Sequence, residues 1–401
     1  MSLTQTPSGE RVHIALFGKR NAGKSSLMNA ITGQLHSVVS DVAGTTTDPV
    51  KKSMELLPIG PVVIIDTPGF DDEGKLGTLR VQKAEEVVAY ADIAILVTDS
   101  TQTMDKAEHD FIESVKERNL PYIIVHNKSD LIANIPETTE KDIWVSSADK
   151  TNISELNEKL ASIAAPSANS RRIVSDLLTA GDKVILVTPI DESAPKGRLI
   201  LPQQQTIRDI LDSHCSAIVC QPEELKDMLS SMTTPPKMVI TDSQVFGKVA
   251  KSVPDHIALT SFSILFARYK GDLETLVKGA STLSKLNTGD RILISEGCTH
   301  HRQCGDIGTV KLPGWINNFC NADIQFDFTS GGEFPKTLKD YKLVVHCGGC
   351  MLNEAEMKHR IATATNAGIP IVNYGVAIAH MNGILKRSLE IFPQVADMLE
   401  A

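Results

Sequence analysis

With 401 residues, 42% of them apolar, the chain is long enough for two or three domains with full hydrophobic cores. Its 40 basic against 49 acidic residues leave a formal charge of −9, which argues against a nucleic-acid-binding surface, and 4% aromatics argue against base-stacking platforms. The first residues, Met1-Ser2-Leu3-Thr4-Gln5-Thr6-Pro7, show no charged-then-apolar leader, and no apolar run approaches the roughly 20 residues that span a bilayer. A cytoplasmic protein without membrane contact is expected, its seven cysteines serving as thiols or metal ligands rather than disulfides. No heptads, low-complexity tracts or internal repeats stand out.

Val12 to Phe17 reads as a buried strand running into Gly18-Lys19-Arg20-Asn21-Ala22-Gly23-Lys24-Ser25-Ser26, a full-length G-x-x-x-x-G-K-[ST] phosphate-binding loop. Backbone N–H groups of Asn21 to Ser26 would cradle phosphate oxygens, Lys24 would reach the β- and γ-phosphates, and the Ser25 hydroxyl would take a place on Mg²⁺. Ser26 to Ile31 reads as the helix leaving the loop, so the phosphates also meet a helix N-terminus. Asp66-Thr67-Pro68-Gly69 follows the apolar run Pro61 to Ile65. The Asp66 carboxylate suits the metal through water, and the Gly69 N–H suits a γ-phosphate. Asn127-Lys128-Ser129-Asp130 follows Tyr122 to His126. Asp130 can accept from guanine N1–H and the exocyclic amine together, whereas adenine offers a lone pair there and no 2-amino group. Asn127 suits N7 and loop tethering, Lys128 can lay its stem along the base, and Ser147-Ala148 fits the loop where a backbone N–H meets guanine O6.

These elements, with Gly44-Thr45-Thr46-Thr47-Asp48 between them, resemble the translation-factor-like GTPases, and within them the tRNA-modification and Era-like branch. That resemblance implies GTP turnover to GDP and phosphate, with Lys24, Thr46, Asp66 and Gly69 as the catalytic set. It implies Thr46 as the switch threonine on Mg²⁺ and Asn21 as a K⁺ ligand, the potassium supplying charge that an arginine finger supplies elsewhere. One departure is Phe70, which stands where classical switch GTPases carry a water-orienting Gln. A phenyl ring cannot polarise water, so slow hydrolysis is expected and no catalytic base is assigned.

The fold class expected is α/β in three domains: a GTP-binding P-loop domain over 1–165, then two smaller parallel-sheet α/β domains over 166–275 and 276–401. The first closes with the helix Ile153 to Leu160, and Ala165 to Arg172 reads as a linker of small and polar residues. Strand-like Lys183 to Val187, Ala217 to Cys220, Lys237 to Ile240 and His256 to Leu259 then alternate with helical stretches, which argues a parallel sheet. This middle domain carries no catalytic constellation and is read as an assembly domain, mediating a homodimer. In the third, Arg291 to Ser295 runs into Cys298 and His300, and Lys342 to Val345 into His346-Cys347-Gly348-Gly349-Cys350.

Parallel strands end on one edge of their sheet, so Cys298 and Cys347-x-x-Cys350 can converge. The Gly-Gly filling allows a tight turn and frees backbone N–H groups for sulfur. Three readings compete on the residues: a [4Fe–4S] cluster with one labile iron, structural zinc, and inert buried thiols. The pattern Cys-x-His, 45 residues, His-Cys-x-x-Cys, joined to the Asn-containing GTPase loop and a middle α/β domain, resembles the [FeFe]-hydrogenase maturation GTPases, the HydF family, over nearly the whole chain. The resemblance implies Cys298, Cys347 and Cys350 as cluster thiolates, with His300 and His346 as fourth ligand or outer support and Glu296 as a further carboxylate. It implies a scaffold and carrier that takes a transient diiron precursor made with two radical-SAM maturases and delivers it to apo-[FeFe]-hydrogenase. The rival reading is an RNA-directed GTPase of tRNA modification or ribosome assembly with a zinc-stabilised domain. A redox enzyme using Cys347 and Cys350 ranks below both.

Overall fold

The structure is a computed structural model that describes residues 8–33, 49–69, 75–169, 172–190, 199–297, 306–335, 337–349 and 351–399, with backbone alone at 75–80 and 165–169. The chain divides into two compact units, Met1–Ser170 and Arg171–Ala401. Among the described residues no helix is long and apolar enough to cross a membrane.

Unit 1 runs β1 (Val12–Phe17), α1 (Lys24–Thr32), β2 (Val50–Leu56), β3 (Gly60–Asp66), α2 (Lys75–Tyr90), β4 (Ile93–Asp99), α3 (Lys106–Glu117), β5 (Tyr122–Asn127), β6 (Asp142–Trp144) and α4 (Ile153–Asn169). Its sheet has the order β2-β3-β1-β4-β5-β6, with β2 antiparallel to β3 and the other pairs parallel. The central strands are continuous apolar runs because both faces are covered. Ile14, Leu16, Ile64 and Ile95 pack on α1 and α4, while Ala15, Phe17, Val63 and Ile65 face α2 and α3. Parallel alignment carries the phosphate loop, Asp66, Asp99 and Asn127 to one sheet edge. The stretch read as a linker is helical as far as Asn169.

Unit 2 runs β7 (Lys183–Val187), α5 (Leu201–Asp212), β8 (Ser216–Cys220), α6 (Leu225–Ser231), β9 (Met238–Thr241), α7 (Phe246–Ala250), β10 (Ala258–Ser261), α8 (Phe262–Lys270) and α9 (Leu273–Ala280). It continues with β11 (Arg291–Ser295), α10 (Leu312–Cys320), β12 (Gln325–Thr329), β13 (Leu343–His346), α11 (Glu354–Asn366), β14 (Ile371–Asn373), α12 (Tyr374–Met381) and α13 (Leu385–Ser388). Two parallel sheets result, β10-β9-β7-β8 and β12-β11-β13-β14. The sequence reading had no place for α10 or β12. Gln325-Phe326-Asp327-Phe328-Thr329 alternates polar and aromatic residues at a half-exposed edge, a weaker signal than the apolar runs of the inner strands.

The two sheets of unit 2 share one arrangement. Numbered along the chain within each sheet, the strands of both lie in the order 2-1-3-4. The final row of the first sheet is Cys220, Val187, Thr241, Ser261, and that of the second is Thr329, Ser295, His346, Asn373. The turns entering each first strand match as well. Gly181 N donates to His214 O (3.0 Å) and Gly289 N to Asp323 O (2.9 Å), while Thr179 N and Asn287 N donate to the Asp182 and Asp290 carboxylates at 2.8 and 2.9 Å. Beneath them, Leu178-Thr179-Ala180-Gly181-Asp182-Lys183 stands against Leu286-Asn287-Thr288-Gly289-Asp290-Arg291.

Each last strand runs directly into a capped helix: the Ser261 side chain accepts from Ile264 N and that of Asn373 from Val376 N. The two helices, α8 and α12, touch at equivalent positions, where a Cβ on Gly375 would lie 2.0 Å from Ser263 Cβ. The following helices cross reciprocally. On the other half, α9 covers β14, its Gly279 close against the Ile371 carbonyl. In return α13 packs on β10, with Thr260 Oγ1 donating to Ser388 O at 2.9 Å. Each half thus completes the other's core.

Candidate functional site

In unit 1, the chain leaves β1 at Gly18 and enters α1 at Lys24. Gly23 has φ +92°, and a Cβ there would lie 2.2 Å from Asn127 Nδ2, so only glycine fits between the loop and that asparagine. Asn127 is buried; its amide donates to Ala22 O (3.1 Å) and its carbonyl accepts from Ser147 N (3.1 Å) and Ser147 Oγ (2.8 Å). One side chain thereby ties the phosphate loop to the Ser147-Ala148 loop. Asp130 and Ala148 stay exposed at the rim where a base would enter. Lys24 is buried and donates to Gly18 O (2.9 Å) and Lys19 O (2.7 Å), so its ammonium is held inside the loop. Asn21 sits exposed at the loop tip with φ +63°, Ser26 lies half-buried in the first turn of α1, and Gly69 is half-buried beyond β3.

Two oxygens meet where a divalent ion is needed. Ser25 Oγ donates to Asp66 Oδ2, while Asp66 Oδ1 is buried with no hydrogen-bond partner. Burial pushes the Asp66 carboxyl above its ordinary range, against the opposing effects of Ser25, Lys24 and Lys52. A hard cation would satisfy the orphaned oxygen and offset the effect of burial on the carboxylate, so the donor set fits Mg²⁺. Thr67 Oγ1 donates to Leu16 O (2.7 Å) and pins this segment to β1. Thr46 lies outside the described residues, as does Phe70.

Motif reading missed two supporting charges. Lys128, at φ +64°, places Nζ 2.5 Å from Asp99 Oδ2 at the end of β4. Burial disfavours the Asp99 charge, but Lys128 and Thr101 outweigh it and hold its pKa below the usual carboxylate range. Lys19 pairs with Asp105 (2.7 Å) and Glu108 (3.3 Å), the capping box that opens α3. A cavity of about 210 Å³ lies along this side of the loop, lined by Lys19, Arg20, Asn21, Asp99 and Gln102 among others. The signal for Asp99 was present in the sequence: a lone carboxylate ending an otherwise apolar strand.

In unit 2, β11 and β13 are neighbours, with Ser295 opposite His346. Their ends therefore bring the segment leading to Cys298 beside Cys347. Cys298, His300 and Cys350 themselves lie outside the described residues. Cys347 Sγ accepts from Gly297 N (3.0 Å) and Gly349 N (3.4 Å), and Cys347 N donates to Ser295 O (2.9 Å). Two N–H groups aimed at one sulfur favour a thiolate, and that environment fits a metal–sulfur ligand. Among the described residues no three His, Cys, Asp or Glu side chains cluster as a complete metal site.

His346 is fully buried, and both ring nitrogens are engaged. Arg360 Nη1 donates to Nε2 (3.0 Å), and a guanidinium can only donate, so Nδ1 carries the hydrogen given to Cys347 O (2.7 Å). His346 thus faces away from ligation in this arrangement and braces the loop behind Cys347. Arg360, fully buried, also donates to Glu356 (2.7 Å), Gly331 O (2.7 Å) and Ser295 Oγ (3.3 Å), and so joins the ends of β11, β12 and β13. Its sequence signal was a single arginine among Met357, Ile361 and Ala364 on the apolar face of α11. Glu296 is buried and accepts from Tyr374 OH (3.3 Å). Burial, then the neighbouring Cys347, Glu296 and Asp306, push the Tyr374 phenol far up, so it stays a donor.

The fold and loop geometry of unit 1 are those of a P-loop GTPase. Residues 13–128 match the family model described as a 50S ribosome-binding GTPase. Curated relatives include the tRNA modification GTPase MnmE of Endomicrobium trichonymphae, 40% identical over 124 residues, 30% of this chain and 27% of the relative. GTPase Der of Wolinella succinogenes is 29% identical over 241 residues, 56% and 50% of the two chains. The chain spans about a quarter to a half of the length of these relatives. A solved structure of an Era variant from Aquifex aeolicus bound to GDP·AlF4⁻ is 27% identical over 38% of this chain and 56% of that one, with a TM-score of 0.35. Residues 173–271 match the hydrogen maturase F dimerization domain and 274–391 its tetramerization domain, together more than half the chain. The chain belongs to the hydrogen maturase F family, the GTPases of hydrogenase maturation.

Proposed function

We propose that this GTPase is also a [4Fe–4S] scaffold and carrier, with Cys298, Cys347 and Cys350 holding the cluster. It would take the diiron precursor of the hydrogenase active site from two radical-SAM maturases and hand it to apo-[FeFe]-hydrogenase. The observation that carries the reading is Cys347, whose sulfur receives the Gly297 and Gly349 N–H groups on the sheet edge toward which the Cys298 segment runs. The cluster, once bound, supplies an iron with an exchangeable position for the cargo. The chain's own residues hold it: the glycine N–H groups offset sulfur charge, and Arg360 through His346 fixes the loop. Nucleotide is held by Asn21 to Ser26 around the phosphates, by Ser25, Thr46 and Asp66 toward Mg²⁺, and by Asn127, Lys128, Asp130, Ser147 and Ala148 around guanine. Gly69 senses the γ-phosphate, and Asn21 holds K⁺. The domain limits that accompany this reading are 1–165, 166–275 and 276–401, in a cytoplasmic homo-oligomer.

The test is iron and sulfide analysis after anaerobic reconstitution, with EPR of the reduced protein, for wild type and Cys347→Ala. About four iron and four sulfide per chain, lost in the variant while GTP turnover persists, is expected. Stoichiometric zinc without iron would replace this reading by the RNA-directed GTPase.

A further inference from the structure

A buried cation from the first half of unit 2 reaches the cysteine loop of the second. Lys270, the last residue of α8, is 3% exposed, and its Nζ donates to Leu352 O at 3.0 Å. Lysine is rarely this buried, because its ammonium gives up hydration that acceptors and negative charge must replace. A cation on the last turn of α8 suits the helix dipole, but the dipole does not require burial. The contact joins the matched stretch 173–271 to the matched stretch 274–391.

The acceptor stands where the sulfur-bearing segments meet. Leu352 follows Cys350 by two positions. Its N–H donates to Gly349 O (3.0 Å), and Gly349, at φ +63°, aims its own N–H at Cys347 Sγ (3.4 Å). The Leu352 side chain lies against Gly297, where a Cβ would be 2.6 Å from Leu352 Cγ. Gly297 precedes Cys298, and its N–H donates to Cys347 Sγ at 3.0 Å. Leu352 thus touches both segments that carry the thiols, and Lys270 holds it from the other half.

We propose that Lys270 is a positioning residue for the iron–sulfur cluster: it fixes Leu352, and with it the segments of Cys298 and Cys350, and sets a positive charge behind an anionic centre. The inference rests on the cluster reading above. A [4Fe–4S] centre on three thiolates carries net negative charge, and one-electron reduction adds to it. A nearby cation therefore favours the reduced state and raises the potential, which in such clusters follows net charge and hydrogen bonding. Removing the charge of Lys270 lowers the potential, and removing its hydrogen bond loosens the turn that ends at Leu352.

The test uses the full chain, reconstituted anaerobically with iron and sulfide, as wild type, K270M and K270R. Methionine keeps the apolar stem and removes charge and donor; arginine keeps both. In an EPR-monitored redox titration the K270M cluster is expected at a more negative midpoint, with the one-electron equilibrium shifted roughly tenfold, about 59 mV, and K270R close to wild type. A role in packing alone would lower iron content without moving the potential. Because K270M could also disturb the loop, amide exchange is read on the metal-free chain. It should quicken across 349–352 in K270M while β13 stays protected. A K270M potential equal to that of wild type, a K270R potential as low as that of K270M, or unchanged exchange at 349–352 would each overturn the inference and leave the cluster reading standing. A wild type that takes up no iron would overturn the cluster reading, and the role of Lys270 with it.

Discussion

Arg360→Met tests the buttress behind the cysteine loop. The guanidinium is fully buried and has polar contacts to Glu356, Gly331 O, Ser295 and His346, two of them at 2.7 Å. Methionine keeps most of the volume but leaves the Glu356 carboxylate, whose side chain is 11% exposed, without its cation. Breaking a buried ion pair from one side costs about 3–5 kcal/mol. At roughly 2–4 °C per kcal/mol for a unit of this size, the unit 2 melting transition should fall by about 6–20 °C. Calorimetry on the full chain separates the two units, because GTP raises only the transition of the unit that binds it. Glu356→Leu alone should cost a similar amount by stranding the arginine. The double variant should cost less than the two added together, with a coupling of about 2 kcal/mol or more. A single-variant cost below about 1 kcal/mol, or strictly additive losses, would refute the idea that this pair holds the strand ends together.

Other perturbations read different parts of the molecule. Gly23→Ala puts a methyl against Asn127 Nδ2 at a left-handed φ, so affinity for a fluorescent GTP analogue should drop roughly tenfold or more, about 1.4 kcal/mol; unchanged binding would contradict the loop tether. Asp209 accepts from Ile173 N, Val174 N, Ser175 N and Ser175 Oγ at 2.8–3.2 Å; its replacement by Ala should cost about 2–4 kcal/mol by orphaning these donors, seen as faster amide exchange at 173–175. Burial holds the His126 pKa below 6.5, so the unfolded chain takes the proton first. Unit 1 should then keep its stability above about pH 6.5 and lose it as pH falls through the folded pKa, and His126→Gln should flatten that slope in melting curves recorded from pH 5 to 8.

The nucleotide site was legible because its chemistry resides in short contiguous stretches, each just past a strand of the same parallel set. Gly18 to Ser26 or Asn127 to Asp130 needs no knowledge of distant contacts to be read. The supports were not legible for the converse reason. Asp99 acts on Lys128 across adjacent strands, and Arg360 reaches Gly331, Ser295 and His346 on three other segments, so these contacts leave no spacing pattern. The same physics hid the shared strand order of the two sheets. Parallel register and strand order are carried by backbone hydrogen bonds, which any apolar β-former can make, so two halves with different side chains share one ladder. The halves differ in the residues at and just past each final row. Thr188 and Asp242 stand where Glu296 and Cys347 stand in the second half, and Thr241 stands where His346 does. A strand end on an open α/β edge is held by the ladder behind it and free in front, so its side chain can change with little cost to the core. The second half carries thiol and imidazole chemistry there, while in the first Gln203 Nε2 donates to Asp242 (2.9 Å) at the corresponding position.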